Sequence, residues 1–160
     1  MASKSRVRFA DNVDTSSRIE NEKGNKTSSF LITVNPNVVL HVQDSPEYIA
    51  LRKKLQTFGN WFLKKKNLLN YLKFNNDWPR KVNLEKIHLI QDDRVATIEW
   101  GSKIKMLHMH IYVVIIHSTS VQIDCAKLRE IGNEFFGRKI HINARGAGIN
   151  FKNYTLKNIK

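Results

Sequence analysis

His108 and His110 stand one residue apart in the run LHMHIYVVI, residues 107 to 115. Each imidazole nitrogen needs a partner once it leaves water, so two histidines in an apolar run require an explanation. On a β-strand side chains alternate between faces, which puts His108, His110 and Tyr112 on one side and Met109, Ile111 and Val113 on the other. The second set can cover helices, while the first brings two imidazoles close enough to share an ion. If the upstream RVATIEW is the hairpin partner of this strand, Glu99 lies beside them. Two imidazoles and one carboxylate, with positions left open, suit a divalent cation that must also hold a substrate oxygen. Mn²⁺ and Mg²⁺ both fit such donors. The plainer alternative is a pair of histidines satisfied within the core.

A second group of residues lies near the end of the chain. In NYTLKNIK, Tyr154 and Lys157 are three apart and share one face of a helix. A tyrosine oxygen can attack phosphorus and form a covalent ester, dividing one hard step into two. A lysine one turn away can stabilise the phenolate or position the phosphate. The structural alternative is an aromatic packing residue beside a surface lysine. His41, His88, His117 and His141 show no equivalent partnership and read as surface or satisfied core residues, with His88 a rival third ligand.

These side chains need a scaffold. Residues 1 to 28 are mostly Ser, Asn and charges, which bury too little surface to offset ordering; they read as a polar, disordered tail. A folded domain is expected over 29–160. Phe30 to Val34 form a short strand stopped by Asn35-Pro36. Ser45 caps a helix with Pro46 at its first position, and Leu51, Leu55, Phe58 and Phe62 follow at helical spacing. Gly59-Asn60 is a point where that helix could divide, and Lys64-Lys65-Lys66 reads as a solvated helix face. Residues 75 to 79 read as loop.

From Lys86 the apolar period becomes two, through KIHLIQ, RVATIEW and MLHMHIYVVII. GSKIK, opening with Gly101, is a hairpin connection between the last two. Asp124 caps a helix with Leu128, Ile131 and Phe135 on its apolar stripe, RKIHIN is one more strand, and NFKNYTLKNIK a final helix. The class is α+β: a central antiparallel sheet with helices packed against it.

Lys and Arg number 27 against 14 acids, a net charge of +13, which favours polyanionic partners such as nucleic acid. The single Cys125 cannot form an internal disulfide, which suits a reducing compartment, nucleus or cytoplasm. No stretch reaches the length of a membrane span, and the polar start is not a secretory signal.

Taken together, these pieces resemble the His-hydrophobic-His endonuclease superfamily, the rolling-circle replication initiators of viruses and plasmids. FLITVNPN is loosely similar to that family's first motif, and LHMHIYV closely to its paired-histidine motif. IEWG puts Glu99 where viral initiators carry an acidic third ligand, and NYTLK looks like the motif of a single nucleophilic tyrosine followed by lysine. The resemblance implies a ferredoxin- or RRM-like nuclease palm and a metal at Glu99, His108 and His110. It also implies site-specific nicking of single-stranded or hairpin DNA by Tyr154, the protein being retained on the 5′ phosphate and able to rejoin ends. A longer protein with a helicase following this domain is consistent with it. Arg138, Lys139, Arg145 and Lys152 are candidates for the DNA track. The competing reading is a silent nucleic-acid-binding module on a similar sheet.

SRVRFAD resembles the docking motif of protein phosphatase 1 partners, with Val7 and Phe9 as pocket residues. Such an extended peptide can bind by adding to a sheet edge. That resemblance implies a eukaryotic cell as the setting, and a virus or mobile element of eukaryotes as the source.

Overall fold

A computed structural model describes residues 8–9, 26–74, 88–89, 94–117 and 121–147. The chain forms β1 (Arg8–Phe9), β2 (Lys26–Asn35), α1 (Pro46–Phe62), α2 (Lys65–Asn70) and β3 (Leu72–Phe74), then β4 (His88–Leu89) and β5 (Val95–Gly101). β6 (Met106–His117), β7 (Val121–Ile123), α3 (Cys125–Phe136) and β8 (His141–Gly146) complete it. The main sheet has the order β1-β5-β6-β2-β8, with β4 beside the far end of β6. Its four central strands are all antiparallel. Read through β2, α1, β5, β6, α3 and β8, the connectivity is βαββαβ, the ferredoxin-like arrangement of the α+β class.

The alternation of β6 decides which face the helices cover. Leu107, Met109, Ile111, Val113 and Ile115 join Phe30, Ile32 and Val34 of β2 in one core with Leu55, Phe58 and Phe62 of α1 and Leu128 of α3. Leu55 is wholly buried there. Leu55→Ala should therefore cost about 2–5 kcal/mol in denaturant unfolding, lost transfer energy plus cavity. A midpoint equal to that of the wild type would show that α1 does not anchor the sheet.

The helix starts follow the local chemistry. Ser45 accepts from the Tyr48 N–H at 3.2 Å with Pro46 behind it, and Asp124 accepts from the Lys127 N–H at 3.1 Å. Gly137, at φ 69°, ends α3 in the left-handed conformation that glycine adopts without strain.

Several boundaries differ from the expected ones. β2 begins at Lys26 and runs ten residues, because Lys26 to Ser29 pair with Val114 to His117 of the long β6. α1 does not divide at Gly59-Asn60: Gly59 is buried on the core side, and the break comes at Leu63-Lys64. There the guanidinium of Arg94 donates to the Leu63 carbonyl, a cation at a helix C-terminus. Phe136, not Phe135, completes the stripe of α3 beside Leu128 and Gly132; Phe135 is 38% exposed. RKIHIN becomes strand only from His141 and extends to Gly146, and β3 pairs with β7 in a small second sheet. Arg8–Phe9 lies parallel to Val95–Ala96, so part of the RVRF stretch sits on the edge of this chain's own sheet. The 75–79 loop lies outside the described residues. No helix among them is long and apolar enough to cross a membrane.

Candidate metal centre

The face of the sheet away from α1 and α3 carries the candidate ligands, and cross-strand pairing arranges them in rows. Glu99 lies opposite His108, and one row along, Thr97, His110, Thr33 and Asn143 succeed one another across β5, β6, β2 and β8. Directly paired residues share a face and approach most closely, so the hairpin of β5 and β6 alone brings the carboxylate to the imidazoles.

Glu99 Oε2 stands 2.9 Å from His110 Nε2 and 3.6 Å from His108 Nε2. The two rings meet edge to face, their centroids 4.9 Å apart. One ligand atom from each of the three residues can be chosen so that all lie within 4.8 Å of one another.

Those donors fit a divalent cation. Thr33 Oγ1 lies 3.1 Å from His110 Nδ1. With Nδ1–H donating to that hydroxyl, the His110 lone pair is on Nε2 and points at Glu99. A proton or a cation has to occupy the space between two such lone pairs. Burial, the largest cause, pushes the His110 pKa below its ordinary value; Glu99 opposes the shift, while His108 and Arg145 reinforce it. The shift favours the neutral ring, the form a metal ligand needs. Glu99 Oε2 and His108 Nδ1 are buried and lack a hydrogen-bond partner among the described residues. A cation at this position would supply the missing partner for the carboxylate oxygen.

Comparison with protein-family models, curated proteins and solved structures returns no match. The site therefore rests on its own geometry.

Glu99, His108 and His110 come together as their spacing predicts. Arg145 lies on the same face, opposite Leu31 and one row beyond Asn143, and is exposed. Arg138 and Lys139 are exposed at the α3–β8 connection, where the Arg138 guanidinium donates to the Asn37 carbonyl at 2.7 Å. Tyr154, Lys157, Lys152 and Val7 lie outside the described residues, as does the side chain of Phe9. The backbone of His88 pairs at Ile116, six residues from His110 along β6, about 20 Å away and too far for a third ligand. His117 is buried against Ser28 Oγ at 2.7 Å, and His41 and His141 are exposed.

Thr33 is the contributor that spacing within one strand does not disclose. Its only sequence signal is a hydroxyl residue in the otherwise apolar FLITV. Thr33→Val keeps the shape but removes the partner of His110 Nδ1, and should weaken Mn²⁺ affinity roughly 10–100-fold, with Thr33→Ser restoring it. Equal affinities by titration calorimetry would show that the hydroxyl does not orient the ring.

Proposed function

We propose that this chain is a metal-dependent endonuclease that nicks single-stranded DNA through Tyr154. The observation that carries the reading is the convergence of Glu99, His108 and His110 on the open face of an antiparallel sheet. The net charge of +13 suits a polyanionic substrate. Tyr154 and Lys157 follow β8 in sequence, so the order of elements matches that of the His-hydrophobic-His endonucleases which the motifs resemble.

Glu99, His108 and His110 would hold a divalent cation, which would supply Lewis-acid polarisation of the scissile phosphate. The Tyr154 phenolate oxygen forms a bond to phosphorus in line with the departing O3′, whose bond breaks. The 3′ oxygen leaves with the electron pair, takes up a proton, and becomes a free hydroxyl. Lys157 offsets the negative charge on the phenolate before attack and on the phosphorane oxygens during it. Thr33 holds the His110 imidazole in place. Because the phosphotyrosine ester is a phosphodiester like the one cleaved, a 3′ hydroxyl can reverse the step and rejoin an end.

The test is incubation with a randomised single-stranded pool and Mn²⁺, followed by denaturing electrophoresis. A 5′-linked adduct that survives denaturation is the expected product. Binding without cleavage, in either the presence or the absence of metal, would favour a silent nucleic-acid-binding module.

A further inference from the structure

The row of the open face next to Glu99 and His108 is apolar and exposed. Gly101 pairs with Met106, and Met106 in turn forms a bridge with Val39, beyond the end of β2. Gly101 has no side chain, and a Cβ built there would come within 2.7 Å of Ile104 Cγ1. Ile104 therefore folds back from the hairpin connection over the position that a side chain at 101 would fill, on the face carrying Glu99. Val39 is 49% exposed and Ile104 55% exposed, with Met106 partly exposed between them. Large aliphatic groups left in water beside a polar site mark a contact surface when they are contiguous.

Cations border the same end of the sheet. Lys103 and Lys105 flank Ile104 in the connection, and the Lys105 carbonyl accepts from the Leu40 N–H at 2.7 Å, which ties the two loops together. On the other side Asn37 is tied to Arg138 by the guanidinium–carbonyl bond and to Lys139 by an amide–carbonyl bond of 3.4 Å. An apolar surface between lysines and an arginine, one row from a phosphate-binding centre, matches the alternation of base and phosphate in a single strand.

We propose that Val39, Ile104 and Met106 form a shelf that receives an unstacked nucleobase of the strand whose phosphate lies at Glu99, His108 and His110. The proposal rests on the nickase reading and adds a base-binding element to it. Residues two apart on a strand are separated by about 6.8 Å, a step on the scale of one extended nucleotide. The base contributes by burying its face on the aliphatic groups and is tolerant of base identity, since every base has an apolar face. Lys103, Arg138 and Lys139 take the flanking phosphates, while the Lys105 ammonium lies over the Trp100 ring, 4.9 Å from its centroid, on the opposite face.

The experiment compares a randomised short single-stranded pool with an abasic strand of the same length, both in chelator, by fluorescence anisotropy. Base-bearing strands should bind roughly tenfold more tightly than the abasic strand, the scale of burying about 50 Å² of apolar surface. Val39→Ser with Ile104→Ser should reduce that preference to about twofold or less, within a small fraction of one stacking contact, leaving abasic affinity unchanged. Gly101→Ala, which displaces Ile104 from the shelf, should do the same. In parallel, the Ile104 methyl resonance should move upfield on adding the base-bearing pool and stay put with the abasic strand. Full base preference in the serine variant, or an unmoved Ile104 methyl, overturns the shelf. Chelator removes any dependence on metal or Tyr154, so absence of base preference in chelator overturns the shelf alone, while absence of an adduct with Mn²⁺ overturns the nickase reading.

Discussion

His108→Ala combined with His110→Ala should abolish Mn²⁺ binding while leaving the fold in place. The hydroxyl behind one ring is already expected to control one or two powers of ten in affinity, so removing both rings should exceed roughly a hundredfold. A lone Glu99 carboxylate cannot hold the ion against water. Both histidines sit on the open face, outside the main core, and His108 Nδ1 has no hydrogen-bond partner among the described residues. Truncation thus removes one uncompensated polar atom as well as some packing, and the unfolding midpoint should remain near that of the wild type. Metal-dependent nicking should disappear with the binding. Calorimetry that finds unchanged Mn²⁺ affinity in a folded double variant would remove these residues from the metal centre, and the mechanism with them.

Tyr154→Phe should eliminate the covalent adduct completely. The substitution keeps the aromatic ring but lacks the oxygen that would bond to phosphorus, so no residual ester can form. Mn²⁺ and strand affinity should both survive, since neither uses the phenol. Lys157→Ala should slow adduct formation on the order of a hundredfold, the scale of one charge-stabilising group, without preventing binding. The chemistry also separates the competing mechanism: a metal-activated water leaves nothing attached to the protein. Normal cleavage by Tyr154→Phe, or cleavage by the wild type with no adduct, would assign the reaction to water instead.

Local signals in the chain foretold local features. The alternation in LHMHIYVVI correctly assigned Met109, Ile111 and Val113 to the helix-covered face, and RVATIEW is the hairpin partner that sets Glu99 beside His108. Ser45-Pro46 and Asp124 start helices because a cap needs only residues within one turn. What depended on distant pairing was not legible. Thr33 meets His110 across a separation of 77 residues, through a strand pair that no local pattern specifies. The choice between Phe135 and Phe136 turned on where α3 lands on the sheet. Gly59 looked like a break, but it is buried on the core side, and its helical cost is outweighed by the packing of Leu55, Phe58 and Phe62 on the same helix. Strands of two or three residues, such as β1, β3 and β7, carry too little pattern to be recognised at all.

Because Glu99, His108 and His110 all belong to one hairpin, the ion they would share can act during assembly of the protein. A slip of β5 by one residue against β6 would turn Glu99 to the opposite face, away from both imidazoles. Only the correctly aligned hairpin would then bind a cation, and that state alone would gain the binding free energy, which grows with cation concentration. A bound ion would thereby select against misaligned forms of its own scaffold.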